Sequence, residues 1–309
     1  MMIINLRYHI ASLVAVFLAL GLGILVGSTM LGNDALTKQQ KQLADKLMVQ
    51  MEQLREKNEA VEARANALEM DNQKQKQFEK QVLPVLVRDR LTGYRLAIIE
   101  TNSYGFPDDL IATLRLAGAE VESITTVLNG FYINGQDQTL QRQLGWSNLT
   151  NEQLTTRLAG EIARGLVKGK SKVLDVLVEE NLIKITGNYG VPLDGVIIIG
   201  GSQDRDMVRV QTLDLPLIDT LLQYKIPVYG VEETNVLYSY MPDYQKKRIT
   251  TVDNIDTIPG QVALVIALTG KPGHYGVKPT AQKLLPEMDE GGKPADGKRT
   301  GSIGTGSRL

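Results

Sequence analysis

A set of polar and glycine residues directly follows three segments that read as buried β-strands, and this set is the first candidate for chemistry. Its members are Glu100, Asn102, Gly200, Gly201, Glu232 and Glu233. In an open parallel sheet the carboxyl ends of the strands meet at one edge, where ligands usually bind. Carboxylates beside glycines would suit a small molecule or a cation at that edge. The alternative is that these loops carry Gly, Asn and Glu because they turn the chain at a solvated surface.

The composition excludes several other kinds of functional site. The sequence has no cysteine and only two histidines, His9 and His274, which excludes disulfides, thiolate metal sites and clustered imidazole ligands. No motif places His274 in a Ser-His-Asp triad. Copper would require a cluster of Met, His or Cys, yet Met207 and Met241 are isolated. The sequence therefore predicts no catalytic residue and no enzyme. Inspection identifies no dedicated copper site, and no other cofactor is evident.

Two further motifs favour structural roles. The Gly200-Gly201 pair has neither the spacing of a dinucleotide fingerprint nor a P-loop lysine. The segment Val252–Thr257 carries Asp253 and Asp256 beside a predicted helix start. We expect these two carboxylates to cap that helix and to interact with its dipole.

The elements that would position the strand-end residues alternate between strands and helices. The predicted strands are Arg95–Glu100, Glu120–Thr125, Gly195–Ile199 and Pro227–Val231. The predicted helices are Leu110–Leu116, Leu154–Val167 behind a Thr150 and Gln153 capping box, Ser171–Glu180, Leu213–Gln223 and Ile258–Leu268. This alternation predicts an α/β domain over 93–285, with three layers and a mostly parallel sheet.

Composition sets the remaining limits. The 309 residues are 43% hydrophobic, which is enough to bury a core in one or two domains. Lys and Arg number 34 against 35 Asp and Glu, so no basic surplus exists to drive binding of nucleic acid. Over 286–309 apolar residues nearly vanish, and a disordered tail is expected there.

A long apolar run near the N-terminus predicts a membrane anchor. No charged residue lies between Tyr8 and Asn33, and the segment 10–31 is long enough to cross a bilayer as a helix after a cytoplasmic stub at 1–9. A cleaved signal peptide is the alternative, although its apolar region normally spans about 7–15 residues. Basic residues flank the run on both sides, so charge does not fix the orientation. The small stub and the large C-terminal part favour an N-inside anchor in the cytoplasmic membrane.

One face of this membrane helix carries a small residue at every fourth position. The members of this small face are Ala11, Ala15, Ala19, Gly23 and Gly27. Such a face lets two helix backbones approach closely in lipid, which favours self-association. The alternative is that Ala and Gly are simply common in membrane helices.

A coiled-coil stalk is predicted over 33–90, starting at Asn33 as an N-cap, with Pro84 and the Thr92-Gly93 pair as the signals for its end. Its apolar residues repeat as heptads, and they define a seam. The seam residues are Ala44, Leu47, Met51, Leu54, Asn58, Val61, Ala65, Leu68 and Asn72. The alternative is an amphipathic helix that lies on its own domain.

Charges beside the seam indicate how two copies would pair. In a parallel dimer, Lys57 faces the partner's Glu62 and Arg64 faces the partner's Glu69. These opposite charges favour a parallel homodimer in register, and polar seam residues such as Asn58 oppose slipped registers.

Several segments resemble the bacterial MctB family. The resemblance rests on Asn5–His9, Ser12–Gly23, the stalk and Val252–Thr257, and it spans nearly the whole chain apart from the tail. The family is labelled a copper transporter or copper transport outer membrane protein. It also includes a relative in mycolic-acid bacteria that works with a partner membrane protein in cell separation. The resemblance implies a membrane protein of copper homeostasis, and it alone implies copper.

Three functions remain open on the sequence. The first is support of copper efflux or resistance, and the second is a dimeric envelope scaffold or regulator that holds a second envelope protein. The third is a ligand sensor or enzyme that uses the strand-end edge. A helical anchor is unlike the alternating strands of an outer-membrane barrel, so an outer-membrane location is disfavoured.

Overall fold

Helix α1 spans Leu6–Val87 and is continuous over 82 residues. The structure, a computed structural model, describes residues 6–102, 108–128, 131 and 137–288. Helix α1 contains both the predicted membrane helix and the predicted stalk. It passes position 33 without a break, so the prediction that Asn33 is the N-cap of the stalk was wrong. Gly32, Asn33 and Asp34 are poor helix formers, but the sequence from Ala35 onward is rich in Ala, Leu, Gln, Lys and Glu, and cooperative propagation explains the continuity.

The end of α1 belongs to the second of the two units into which the chain divides, residues 76–309. Pro84 lies inside the helix, which ends at Val87, within the range predicted for the stalk. Proline removes a single backbone donor there. The turns around it bury Val87 and Leu91 completely and Leu83 in part. This packing offsets the lost hydrogen bond and carries the helix past the proline.

The α/β region contains one sheet, with strand order β3-β2-β1-β4-β5-β6-β7 in the described residues. The strands are β1 (Arg95–Glu100), β2 (Glu120–Val127), β3 (Ile183–Gly187), β4 (Gly195–Ile199), β5 (Val228–Val231), β6 (Thr250–Val252) and β7 (His274–Tyr275). Every pairing is parallel except that of β3 with β2, which is antiparallel. The predicted mostly parallel sheet is therefore confirmed.

Helices cover both faces of this sheet. They are α2 (Asp108–Leu116), α3 (Asp137–Leu144), α4 (Asn151–Lys168), α5 (Lys172–Glu179), α6 (Leu215–Gln223), α7 (Met241–Lys246) and α8 (Ile258–Leu268). Side chains of α3 to α7 form a core on one face, and the end of α1 joins α2 and α8 on the other. The predicted three layers are confirmed.

Alternation along the strands explains the two cores. In β1, Ile98 faces the α2 and α8 side whereas Ile99 faces the α4 and α6 side. Their neighbours on β4, Ile197 and Ile198, repeat the pattern in register. Successive side chains of a strand point to opposite faces, so a continuous apolar run can be buried on both sides.

Most predicted elements are present, and the differences have local causes. The helix predicted to start at Leu213 is preceded by a π-helical turn, Val210–Asp214, and α6 begins at Leu215. The capping box of α4 is confirmed, because Gln153 N–H donates to Thr150 Oγ1 at 3.3 Å. Five elements were missed, namely β3, β6, β7, α3 and α7. Residues 1–5 of the predicted stub and 289–309 of the predicted tail lie outside the described residues.

Candidate functional site

The carboxyl ends of four parallel strands form one edge of the sheet, which we call the strand-end edge. The register aligns Glu100 at the end of β1 with Ile199 of β4, which pairs with Val231 of β5. Val231 in turn pairs with Val252 of β6. The predicted candidate residues follow directly in the chain, so the structure brings these loops to a common edge.

Glu232 lies at the centre of this edge and has no exposed surface. Its carboxylate accepts hydrogen bonds from Ser239 Oγ at 2.6 Å and from the Tyr240 N–H at 2.9 Å. The ammonium of Lys278 lies 2.7 Å from Glu232 Oε1 and also donates to the Glu233 carbonyl oxygen at 2.7 Å. A cation supplied by the chain itself therefore occupies the position beside this carboxylate.

Asp253 holds the backbone of the segment that carries Lys278. Its carboxylate accepts the N–H groups of Val277 at 2.7 Å and Lys278 at 3.2 Å. The prediction that Asp253 and Asp256 cap the next helix was wrong. Thr257 is the N-cap of α8, with its hydroxyl accepting the Gly260 N–H at 3.2 Å.

Asp256 links two loops of the same edge instead of capping a helix. Its carboxylate accepts both the N–H and the hydroxyl of Thr234, at 2.7 and 2.8 Å. The neighbouring Glu233 has a raised pKa, because it is partly buried and lies near the carboxylates of Asp256 and Glu100. Negative charge is therefore concentrated at the strand-end edge.

The residues after β1 are tied to the sheet. Glu100 is buried and accepts the Thr126 hydroxyl at 2.9 Å. Asn102 donates from Nδ2 to the Gly200 carbonyl oxygen at 3.1 Å. The side chain of Asn102 thus joins the loops after β1 and β4.

The two glycines after β4 leave room for neighbouring side chains. A Cβ on Gly200 would collide with the ring and hydroxyl of Tyr244, and one on Gly201 would press against Val236. Gly201 also has φ +86°, a conformation that favours glycine. Packing and backbone geometry explain both glycines without a ligand.

Sequence reasoning missed a second buried acid beneath this edge. Asp214 is completely buried, and its Oδ2 accepts the hydroxyls of Tyr244 and, at 2.8 Å, Thr101. Burial raises the pKa of Asp214 to about 6, although these hydrogen bonds and the charge of Arg209 oppose the rise. The available signal was an aspartate inside an apolar run just before a proline, Leu213–Pro216.

No metal cluster is built from the part of the chain that the structure describes. Among those residues no three His, Asp or Glu side chains converge as a metal site. His274 Nδ1 lies 3.0 Å from Thr251 Oγ1, and burial lowers the pKa of its imidazole. Met241 is fully buried in the core.

The predicted seam lies along α1 in the first unit, residues 1–75. Its large apolar residues are open to solvent: Leu47, Met51, Leu54, Val61 and Leu68 have exposed fractions of 52–71%. Asn58 and Asn72 are exposed on the same helix. Nothing in the described part of this unit covers these side chains.

The small face also lies on α1, within a segment of membrane-spanning length. That segment, Arg7–Ser28, has 22 residues with a mean hydropathy of 2.6, and none of it is buried. A Cβ added at Gly23 or Gly27 of the small face would meet no neighbouring group within 4 Å in the described chain. Ala15 and Ala19 are exposed on the same stretch.

The fold and the edge together define a class of protein. Within the described residues, the chain has one apolar segment of membrane-spanning length, a long heptad-bearing helix and a mostly parallel α/β domain. At the strand ends of this domain, the carboxylates of Glu100 and Glu232 accept hydrogen bonds from other parts of the chain. The chain belongs to the family described as "Copper transport outer membrane protein, MctB", which matches residues 3–286.

Similar curated proteins are named "Copper transporter MctB". They come from Mycobacterium bovis and from two strains of Mycobacterium tuberculosis. Each is 26% identical to this chain over 310 aligned residues, which cover 88% of this chain and 96% of the relative.

Proposed function

We propose that this chain is a single-pass membrane protein that serves copper transport in the cell envelope. The observation that carries the proposal is family membership over residues 3–286. Relatives named copper transporters align with 88% of the chain. The 22-residue span supports anchoring in a bilayer.

The proposed mode of action is to hold a partner protein rather than to coordinate copper. Copper(I) prefers thiolate, thioether and imidazole ligands, and the sequence has no cysteine. The buried carboxylate of Glu232 is already bound to Lys278. In this proposal, other proteins of the system bind and move copper, and this chain acts as their scaffold.

The proposed working form is a parallel homodimer joined through α1. Exposed seam residues such as Leu54 and Val61 give the helix an apolar stripe that a second copy would bury. Burial of apolar surface stabilises such a pair by roughly 25 cal/mol for each Å² removed from water. Complementary charges flank the stripe, with Lys57 opposite the partner's Glu62.

The proposed location is the cytoplasmic membrane, with the α/β domain outside the cytoplasm. The apolar helix Arg7–Ser28 is long enough to anchor the chain in that membrane, and the α/β domain follows it in the sequence. The family description names the outer membrane, so membrane fractionation of cells that produce the full chain is a direct check. Recovery with the inner membrane supports the proposal, and recovery with an outer membrane overturns it.

Copper tolerance tests the function. Cells lacking the gene should grow poorly in copper, and the wild-type chain should restore growth. A variant with Leu54→Pro and Val61→Pro should reach the membrane at a similar level without restoring growth. Unchanged copper tolerance with impaired cell separation would instead favour a scaffold for a cell-separation partner.

Metal titration separates a scaffold from a copper carrier. The purified full chain in detergent is titrated with copper(I) and copper(II), with mass and bound metal followed by native mass spectrometry. A dimer without stoichiometric copper supports the proposal. Tight, stoichiometric copper would overturn the scaffold mode and leave the copper role in place.

Charge reversal tests the parallel register. Lys57→Glu with Arg64→Glu places like charges opposite the partner's Glu62 and Glu69, and we expect the dimer to weaken. Adding Glu62→Lys and Glu69→Lys to the same chain should restore it. If reversal has no effect on the dimer fraction, the helices do not pair in this register.

A further inference from the structure

The two edges of the sheet are finished differently. At one edge, β7 is covered by the chain that follows it, since Tyr275 bridges to Lys283 and the Gln282 N–H donates to the His274 carbonyl oxygen at 2.8 Å. At the other edge, β3 pairs only with β2 among the described residues. An open edge strand is a template for pairing with another strand.

The hydrogen-bond phase shows which groups of β3 point outward. The Leu128 N–H donates to the Leu182 carbonyl oxygen, and the Asn188 N–H donates to that of Glu122. In an antiparallel pair this phase alternates, so even-numbered residues of β3 bond to β2 and odd-numbered ones face away. No described residue bonds to the backbone of Ile183 or Ile185 on the outer side.

A groove runs beside this open edge. It has a volume of about 310 Å³ and lies between α5 and β3. Its floor is apolar and its rim is charged, and its lining residues are Lys170, Leu174, Asp175, Val178, Glu179 and Ile185. Val178 is 43% exposed. A strand added to β3 would place alternate side chains into this groove.

We propose that β3 pairs with β3 of a second copy, antiparallel and around a two-fold axis at Ile185, so that two sheets become one. The inference rests on the dimer of the proposed function. An isologous interface requires a self-complementary surface, and Ile185 provides it. Ile185 is both part of the groove floor and the apolar residue that the partner's groove would receive.

Charge selects this register over its neighbour. With the axis at Ile185, Lys184 lies opposite the partner's Thr186. With the axis one residue earlier, Lys184 would lie opposite the partner's Lys184, and like charges directly opposite each other are destabilising. Both registers satisfy the outward backbone groups, so the lysine discriminates between them.

Within the second unit, the end of α1 packs beside the helix that leads towards the open edge. At the end of α1, the Leu91 N–H donates to the Ala117 carbonyl oxygen at 2.7 Å, which docks the helix at the end of α2. Helix α2 leads directly into β2, and β3 is the next strand outward. The β7 edge lies at the far end of the strand order. Joining two copies through α1 raises the local concentration of one α/β region for the other, whichever edge they use, and β3 is the open one among the described strands.

Disulfide trapping tests the pairing. Because the sequence has no native cysteine, every disulfide must come from an introduced residue. Ile185→Cys in the full chain should form a covalent dimer in the membrane under mild oxidation, because residues on the axis lie about 5.5 Å apart, within disulfide reach. Thr186→Cys is the matched control. Two copies of position 186 would lie about 8 Å apart, beyond that reach.

A second variant tests the pairing in case Ile185→Cys, which alters a partly buried residue, fails to fold. Lys184→Cys combined with Thr186→Cys changes two exposed residues and should cross-link, since these positions face each other across the axis. The covalent dimer from this variant and from Ile185→Cys should exceed that from Thr186→Cys alone by about ten-fold.

The seam variant Leu54→Cys distinguishes failure of the inference from failure of the proposed function. If Leu54→Cys forms a dimer while the β3 variants do not, the edge pairing is wrong and the dimer stands. If none of them cross-links, both are wrong. Equal cross-linking of Thr186→Cys would show random collision and would also overturn the pairing. Cross-linking that is blocked because an extended peptide of another protein occupies β3 would overturn it as well.

Discussion

The ammonium of Lys278 lies 2.7 Å from the carboxylate of Glu232, although 46 residues separate them in the chain. The side chain of Glu232 is fully buried, and that of Lys278 is 16% exposed. A buried ion pair becomes costly when one partner is removed, because the remaining charge has no compensation. The pair therefore fastens the C-terminal segment to the strand-end edge.

Removal of this lysine should destabilise the α/β region strongly. We expect Lys278→Met to lower the free energy of unfolding by about 3–5 kcal/mol. Adding Glu232→Gln should recover part of the loss, because the uncompensated charge disappears. Urea unfolding of the full chain in detergent, followed by the fluorescence of Trp146, the single tryptophan, measures both.

An exposed ion pair provides the control for that measurement. Lys246 pairs with Asp243 at 2.8 Å, and the lysine side chain is 73% exposed. We expect Lys246→Met to cost less than about 1 kcal/mol. Equal losses for the two lysine variants would contradict the role assigned to Lys278.

The buried carboxyl of Asp214 should make stability depend on pH. Its pKa rises from 3.8 to about 6 on folding. The folded state therefore holds the proton more tightly than the unfolded chain, and stability is lost as pH rises from about 4 through about 6. Relative to Asp214→Asn, the wild-type protein should lose about 2 kcal/mol between pH 4 and pH 7.5. Urea unfolding at the two pH values measures this difference.

An aspartate on α6 serves as the comparison for Asp214. Asp219 is 47% exposed and pairs with Lys247. Asp219→Asn, measured in the same way, is the control for removing a carboxylate that is open to solvent. A flat difference between wild type and Asp214→Asn would show that the carboxyl does not titrate in this range.

Glycines in two positions should respond oppositely to an added methyl group. Gly200→Ala should destabilise the protein by about 1–3 kcal/mol, because the new Cβ would overlap Tyr244. Gly160, inside α4, has its nearest neighbouring atoms at 3.6 Å. Gly160→Ala should therefore stabilise the helix by about 0.5–1 kcal/mol. Thermal unfolding of both variants measures these changes. If Gly200→Ala has no effect on stability, packing does not explain this glycine, and binding of a ligand at that turn becomes the alternative.

The small face should affect the association of two copies. Gly23→Leu with Gly27→Leu should lower the dimer fraction in lipid vesicles several-fold, because bulky side chains keep the backbones apart. Gly21 lies off this face, so Gly21→Leu is the control. Energy transfer between labelled copies provides the measurement, and equal effects of both changes would exclude this face from the interface.

Much of the fold was predictable because burial leaves a clear pattern. Gly195–Ile199 and Ile258–Leu268 were predicted with their observed bounds, since their apolar residues run without interruption between turn signals. The strands β6 and β7 have three and two residues and carry almost no periodic signal. Their pairing depends on neighbours distant in sequence.

The candidate site was predictable in position but not in content. The rule for parallel sheets placed Glu100 and Glu232 at one edge correctly. The cation beside Glu232 comes from Lys278, in a loop with no motif, so spacing alone gave no hint of it. Asp214 was hidden in a segment interpreted only as helix. Partners of a buried charge that are distant in sequence can be identified only from the tertiary structure.

The order in which this chain is synthesised has a consequence for how it matures. Strand β7 borders β6, and the lysine that neutralises Glu232 follows it near the end of the described residues. Synthesis runs from the N-terminus, so these residues are made after the other six strands of the described sheet. The α/β region therefore completes its sheet only once residues 274–278 have been made. Chains cut short before His274 would leave the buried carboxylate of Glu232 without its cation, and we expect them to fold less stably than the longer chain.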